Sequence, residues 1–176
     1  MRVAVAVAVA VLAVLVGAVS FLRWWTHPTV FGGLGDSFAT SGPRPVADAA
    51  LSTTVVFPRV DGEPETVTID RAEAVFAANT AEATVSFSIC HLGADEDPIG
   101  SVDRPEKYCA DVVPLEPGAR FRHGVPDSDY LFATIAPTRA GVAHLAEIEL
   151  TYQRGAGHLY QRGTETIRVD RKVTAE

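Results

Sequence analysis

The feature that most constrains this chain is an uncharged run of 20 residues near its N-terminus, from Val3 to Leu22. As an α-helix, this run would be about 30 Å long, which matches the hydrocarbon thickness of a bilayer. Valine and alanine alternate in it, as they do in strands, but a single strand in lipid would leave its backbone polar groups unpaired. The run therefore predicts a transmembrane helix.

Three residues directly after the run fit the interface between membrane and water. Arg23 supplies a cation, and Trp24 and Trp25 supply aromatic rings of the kind enriched at that depth. We therefore predict an N-terminal anchor over residues 1–25. A secretory signal cleaved after Ser20 is the alternative, since small residues precede that point. The apolar core is longer than the roughly 7–15 residues of a signal, which favours the anchor.

The only two cysteines of the chain, Cys90 and Cys109, indicate the compartment of the rest of it. A cysteine pair in a small domain that follows an export signal suits a disulfide, which persists in oxidising compartments. We therefore predict a Cys90–Cys109 disulfide in a domain outside the cytoplasm. The chain is then a single-pass protein of the cell membrane.

The chain beyond Arg23 is acidic, because it holds all 22 acidic residues and 13 of the 15 lysines and arginines. Nucleic-acid binding needs a basic surface, so no nucleic-acid partner is expected. The expected partners are the membrane, through the N-terminal helix, and other proteins of the cell envelope. No glycine-rich nucleotide-binding pattern is present, and no cofactor is expected apart from the calcium alternative given below.

Apolar and polar residues alternate over much of the chain after residue 51. The alternation is clearest over 83–92 and 144–153, which indicates strands with one buried face. Further strands are predicted at 53–57, 65–70, 111–115, 130–135 and 164–170. Residues 71–80 fit a short helix, a continuing edge strand or a bulged loop. These elements predict a mainly β domain over residues 52–176, an immunoglobulin-like antiparallel β-sandwich behind one transmembrane helix.

The segment between the anchor and these strands has a different composition. Residues 26–51 are rich in glycine, proline, serine and threonine, and no hydrophobic period persists in them. Such a composition is typical of a linker. We predict that residues 26–51 form a flexible tether.

A pattern near the C-terminus carries a resemblance to known proteins. Residues 149–155 read Glu-Leu-Thr-Tyr-Gln-Arg-Gly, and residues 161–164 read Gln-Arg-Gly-Thr. Behind a single anchor, this pattern resembles uncharacterised actinobacterial membrane-anchored extracytoplasmic β-sandwich proteins, over roughly the last 110 residues. The resemblance implies a fold and a location and no activity.

The segment between the two cysteines has a second interpretation, as a calcium-binding loop. With Asp95 at position 1, oxygen-bearing side chains fall at positions 1, 3, 7, 9 and 12, and Gly100 falls at position 6. Ile99 occupies position 5, where a ligand is normal. A disulfide-closed loop without metal explains the segment with fewer assumptions, and a weak calcium site that regulates the domain is the alternative. Its candidate ligands are Asp95, Asp97, Ser101, Asp103 and Glu106.

A serine nucleophile is the remaining chemical candidate. Gly35-Asp36-Ser37 resembles the nucleophile block of the GDSL hydrolases, which implies that Ser37 would attack an ester. None of the five histidines has an aspartate three residues before it, so the block that supplies the base is missing. A serine without a base is a poor nucleophile at neutral pH. We therefore expect a non-enzymatic binding or structural role; an exported enzyme with an unrecognised site is the alternative.

Overall fold

The computed structural model describes residues 2–31, 39–57, 64–91, 100–102, 104–124 and 128–176. Within these ranges, one long helix precedes ten strands, and single 3₁₀ turns lie at 46–48, 105–107 and 156–158. The elements are α1 (Arg2–Thr26), β1 (Ala39–Thr40), β2 (Leu51–Val56), β3 (Glu65–Asn79), β4 (Thr84–His91), β5 (Ser101–Val102), β6 (Asp111–Pro114), β7 (Ala119–His123), β8 (Asp129–Ala136), β9 (Gly141–Gln153) and β10 (Arg162–Ala175).

Over residues 9–24 of helix α1, the apolar side chains are exposed. Its segment Val9–Thr26 is long and apolar enough to cross a membrane, and none of that segment is buried. A helix with this much exposed apolar surface is unfavourable in water, because that surface is left hydrated. The helix therefore supports entry into the secretory pathway, as an anchor or as a signal.

The strands form two sheets that pack face to face. The first sheet has the order β1-β10-β9-β3-β7, and the second has the order β5-β2-β8-β4-β6. Neighbouring strands are antiparallel, except that the two-residue β1 runs parallel to β10. The predicted fold class, a mainly β antiparallel sandwich behind one N-terminal helix, is confirmed. The immunoglobulin-like arrangement stays a prediction.

Alternation along the strands fills the space between the sheets. In β8, Leu131, Ala133 and Ile135 face the core and have no solvent exposure. In β9 the alternation is interrupted at Ala146, which pairs with neither neighbouring strand and forms a bulge. Because of this extra residue, the buried face passes from Leu145 directly to Ile148.

Strand β3 settles the assignment of residues 71–80. All of Glu65–Asn79 is extended, and it pairs with β9 from Thr68 to Asn79. β7 pairs with β3 only as far as Ile69. The alternative of a continuing edge strand is therefore confirmed, and a helix at this place is wrong.

The prediction of a flexible tether over 26–51 is wrong for the described part of that segment. Val30 and Phe31 are 5% and 1% exposed and belong to the main core, and Ala49 is buried there as well. Ala39 and Thr40 pair with β10. Apolar residues that show no helical or strand periodicity can still be buried in a core when hydrogen bonds fix the chain around them, as they do for Val30 and Phe31. The folded domain therefore begins before residue 52.

Candidate functional site

The disulfide fixes one border of the candidate site. Cys90 and Cys109 are bonded, with their Cα atoms 5.5 Å apart, so the predicted disulfide is confirmed. Both cysteines pack with Tyr130 and Phe132 in a small apolar cluster that is separate from the main core. The bridge therefore holds the end of the loop against the second sheet.

The described part of the loop that precedes Cys109 lies along β2. β5 (Ser101–Val102) pairs with Ser52 and Thr53 of that strand. The Ser101 hydroxyl donates to Thr53 Oγ1 at 2.9 Å. The Gly100 carbonyl accepts hydrogen bonds from the backbone amide and the hydroxyl of Thr54, both at 3.1 Å. These contacts position the side chains that follow.

A cavity of about 680 Å³ lies between this loop and the segment that contains β1. This volume is in the range of roughly 300–1,000 Å³ that is usual for small-molecule sites. Although the domain is acidic, none of the described lining residues is an acid. They are Thr40, Ser41, Arg44, Leu51, Ser101, Val102, Arg104, Lys107 and Tyr108.

Positive charge is concentrated in and behind the cavity wall. Arg104 and Lys107 come from the loop, and Arg44 comes from the opposite wall. Arg171 is 3% exposed, and its Nε donates to Thr53 Oγ1 at 2.7 Å, the same oxygen that accepts the Ser101 hydroxyl. Burial lowers the pKa of Arg171 and Asp170 raises it, but an arginine stays protonated in proteins.

This set of donors suits a small anion. Guanidinium groups bind carboxylate and phosphate with paired hydrogen bonds, and lysine adds a point charge. The Ser41 hydroxyl oxygen is buried and has no hydrogen-bond partner among the described residues. A buried hydroxyl without a partner is unfavourable until a ligand or water satisfies it. The cavity therefore offers cations and a hydroxyl that is open to a ligand.

The predicted calcium ligands fall only partly within the described residues. Asp95, Asp97 and Asp103 lie outside them. Ser101 directs its hydroxyl to Thr53, and the exposed Glu106 lies in a 3₁₀ turn. Where the structure describes the chain, no three histidine, cysteine or carboxylate side chains are grouped to hold a metal ion. The calcium loop stays a prediction.

A second polar cluster joins the ends of β4, β7 and β8. Asp129 is fully buried, and its Oδ1 lies 2.7 Å from His91 Nδ1 and accepts from the Arg122 guanidinium at 2.8 Å. Its Oδ2 accepts from the Arg122 amide at 2.7 Å. A histidine–aspartate pair can activate a nucleophile, but His91 Nε2 bonds to no hydroxyl or thiol of the described chain. The cluster satisfies a buried carboxylate and links three strands.

The predicted interface residues at the end of α1 are fixed to the β9–β10 hairpin. Arg23 is exposed at this end of the helix. Trp25 Nε1 donates to the Leu159 carbonyl at 3.0 Å. The Gln161 amide donates to the Trp24 carbonyl, one of the carbonyls that a helix end leaves without a partner. The last turn of the helix is thus tied to the folded domain.

These hydrogen bonds continue into the sandwich. Gln161 Oε1 accepts from Arg154 Nη1 at 3.1 Å, and Arg154 donates to both carboxylate oxygens of Glu65 at 2.7 Å. Paired arginine–carboxylate bonds of this kind are among the strongest in proteins. We name the set formed by Glu65, Arg154, Gln161 and the end of α1 the junction.

The segment after the helix is held by a tyrosine. The Tyr152 hydroxyl donates to Glu165 Oε2 at 2.5 Å and accepts from the Val30 amide at 2.9 Å. The Phe31 amide donates to the same Glu165 oxygen at 3.1 Å. Burial raises the pKa of Tyr152 well above its usual range, and the hydrogen bond to Glu165 raises it further. The chain that leaves the helix is therefore fixed to β9 and β10.

No protein-family model matches the chain, and no curated protein or solved structure is significantly similar to it. Its function must therefore be argued from its own residues.

Sequence reasoning missed the cavity and the junction. Arg44 is about 60 residues from Arg104 and Lys107 in the chain, and the three cations meet only through the β1–β10 pairing and the disulfide-closed loop. Alternation in Ala119–His123 was a usable signal for β7, because Phe121 and His123 are buried between exposed arginines. No comparable signal marks the residues of the cavity.

Proposed function

We propose that the chain is a single-pass membrane protein whose uncleaved N-terminal helix anchors an extracytoplasmic β-sandwich with a non-enzymatic binding role. The exposed apolar helix and the disulfide support this location. The resemblance to actinobacterial envelope proteins belongs to the same proposal, as do partners among proteins of the cell envelope.

Retention of the helix is supported by its last turn. Trp24 and Trp25 have the character of interfacial residues, and both are hydrogen-bonded to the hairpin of the folded domain. Over the described residues 27–31, the chain that leaves the helix is therefore held against the domain. In this arrangement the domain stays close to the bilayer.

The cationic cavity carries the proposal of a binding role. In an acidic domain, a group of three cations around one cavity is favourable for an anion and unfavourable for a cation. The ligand is a small molecule or a terminal group of a polymer that bears a carboxylate or a phosphate. Arg104 and Lys107 would bind its charge, and Ser41 would donate a hydrogen bond.

The cavity lies far along the sandwich from the anchor. Gly163 adjoins the end of α1 and Lys172 pairs with Thr40 of the cavity wall. Nine residues of a strand span about 30 Å at 3.3 Å each. A ligand in the space outside the membrane can therefore reach the cavity while the domain is anchored.

Calorimetric titration tests this function on the full chain in lipid nanodiscs. The probes are inorganic phosphate and citrate at constant ionic strength, since exposed charges are screened by salt. We expect saturable binding of at least one probe and a tenfold or greater loss of affinity in Arg104→Gln/Lys107→Gln. Arg168→Gln is the matched control, because Arg168 is an exposed arginine on β10, 3.9 Å from Glu147 and outside the cavity.

Two results would overturn the binding role at this cavity. One is that neither probe binds saturably to the folded protein. The other is that the double variant and the Arg168→Gln control bind with the same affinity as the unchanged chain, which would place the ligand elsewhere.

A further inference from the structure

Two adjacent apolar side chains project from the tip of the β9–β10 hairpin. Outside α1, the exposed large apolar side chains of the described residues are Val75, Tyr108, Leu159 and Tyr160. Leu159 and Tyr160 are the most exposed of them, at 59% and 58%. Isolated exposed apolar residues are ordinary on protein surfaces, whereas a contiguous group is typical of an interaction site.

The backbone at this tip is held in an unfavourable conformation. Leu159 and Tyr160 both have a φ of 53°, in the left-handed region that favours glycine and asparagine. Gly155 and Gly157 lie in the same turn but do not occupy these two positions. The Leu159 amide donates to the Ala156 carbonyl at 3.0 Å, and the Tyr160 amide donates to the Gly155 carbonyl at 3.2 Å. The turn is thus fixed with both apolar side chains in solvent.

The tip lies beside the end of the predicted transmembrane helix. The Leu159 carbonyl accepts the 3.0 Å hydrogen bond from the Trp25 indole. Gln161, the residue after Tyr160, bonds to the Trp24 carbonyl. Leu159 and Tyr160 are therefore next to the tryptophans that mark the membrane–water interface. Tyrosine, with an apolar ring and a polar hydroxyl, suits the same depth.

The charges of the tip permit close approach to a bilayer. Residues 153–164 contain no acid, although the domain as a whole is acidic. Their basic side chains are Arg154, His158 and Arg162. Arg154 is paired with Glu65, and Arg162 lies 3.1 Å from Asp70. The tip itself therefore carries no acid that an anionic membrane surface would repel.

We propose that the hairpin tip is a second membrane contact, in which Leu159 and Tyr160 insert into the bilayer interface beside Trp24 and Trp25. This inference rests on the proposed retention of the anchor. The occupant of this apolar surface is the lipid bilayer, since the helix end fixes the tip at the interface. Two contacts orient the domain on the membrane, which a single helix with a tether would not do.

Depth-dependent fluorescence quenching tests the contact on the full chain in vesicles of phosphatidylcholine and phosphatidylglycerol. An environment-sensitive dye is attached at Leu159→Cys, and the vesicles carry lipids with a quencher near the headgroup. Tyr108→Cys is the matched control, because Tyr108 is also exposed and apolar but lines the cavity. We expect quenching at 159 to exceed quenching at 108 several-fold.

Flotation of the vesicles separates failure of this inference from failure of the anchor. Protein that does not float has no retained anchor, which contradicts the proposed function and the contact that rests on it. Protein that floats but shows equal, weak quenching at positions 159 and 108 overturns the membrane contact and leaves the anchor intact.

A pair of substitutions distinguishes a membrane contact from a structural role. Leu159→Asn/Tyr160→Asn places a residue suited to the left-handed region at both positions. We expect the melting temperature to be unchanged or raised, and quenching of a dye at Ala156→Cys to fall to the level of position 108. Quenching at 156 that is unaffected by the asparagines would overturn the proposal.

Discussion

The junction and the cavity are stabilised in different ways. The junction is held by side-chain hydrogen bonds, among them the Arg154–Glu65 pair at 2.7 Å, and the Tyr152–Glu165 bond at 2.5 Å holds the segment that follows the helix. The cavity loop is held by the disulfide and by hydrogen bonds to Thr53 and Thr54 of β2, and its cations Arg104 and Lys107 are exposed. Side-chain contacts thus fix the end of the helix, whereas the cavity loop is fixed at the bridge and at β2 and leaves two cations in solvent.

The largest expected effect is at the junction side of the core. Phe31→Ala removes a ring that packs edge-on against Tyr152 and Phe121, with centroid distances of 4.8 and 5.8 Å. Loss of a buried phenylalanine lowers the free energy of unfolding by about 3–5 kcal/mol. Thermal unfolding of the full chain in nanodiscs checks this, with the exposed Thr29→Ala as control, expected within about 0.5 kcal/mol. Equal stability of the two variants would mean that this segment is a tether after all.

Removal of the disulfide should act mainly on the loop that lines the cavity. Cys90→Ser/Cys109→Ser opens a loop with a sequence separation of 19 residues, which lowers stability by about 3 kcal/mol in the chain-entropy model. The loop that carries Arg104 and Lys107 would also be less fixed, so phosphate affinity should fall. Titration and unfolding measure both effects. A loss of stability with unchanged affinity would show that the bridge does not position the cavity.

Gly163→Ala should act only on the junction. A Cβ at this position would lie 2.1 Å from the Thr26 carbonyl oxygen and 2.5 Å from Pro28 Cδ, so the end of the helix must move. Overpacking of this kind lowers stability by about 1–3 kcal/mol. Gly157→Ala is the control, because a Cβ there meets no atom within 4 Å. Limited proteolysis between residues 26 and 31 should increase for Gly163→Ala alone, while affinity at the cavity is retained.

The smallest expected effect is a dependence of stability on alkaline pH. Burial raises the pKa of Tyr152 above 10.0, its usual value. Above about pH 10 the unfolded state releases this proton and the folded state keeps it, so stability falls with rising pH, by up to about 1.4 kcal/mol per pH unit. Stability is fully present below that pH. Unfolding at pH 9–11 should show a shallower slope for Tyr152→Phe than for the unchanged chain.

Burial also raises the pKa of Tyr130, in the apolar cluster around the disulfide. Tyr130→Phe is therefore the partner experiment for Tyr152→Phe, and it reports on the second sheet instead of the first. A slope that neither substitution alters would assign the alkaline loss of stability to other groups.

The sequence predicted the elements that depend on local pattern. Helix α1, the strands at 84–91 and 141–153 and the Cys90–Cys109 bridge follow from hydropathy, alternation and the export signal. Alternation specifies which face is buried, and it requires no knowledge of the partner strand. The membrane-interface assignment of Arg23, Trp24 and Trp25 stays a prediction.

What the sequence did not predict depends on pairing between distant segments. Arg171 lies in phase with the buried Val169 and Val173 of β10, but a charged residue is rarely buried, and the group that accepts its hydrogen bond, Thr53, comes from β2. Val30 and Phe31 carry no period and reach the core through Tyr152 and Glu165. The residue types at these positions also occur in exposed linkers and strands, so only the tertiary contacts show that these residues are buried.

The measurement that tests the central claim most directly is the mass and the location of the mature protein. Membranes from cells that produce the chain are washed at high pH, and the protein is analysed intact and after protease treatment of spheroplasts. If the anchor is retained, the protein stays in the washed membranes and its mass includes residues 1–20. Protease added outside the spheroplasts then removes its sandwich domain. A soluble, released protein that begins at Phe21 would contradict the account.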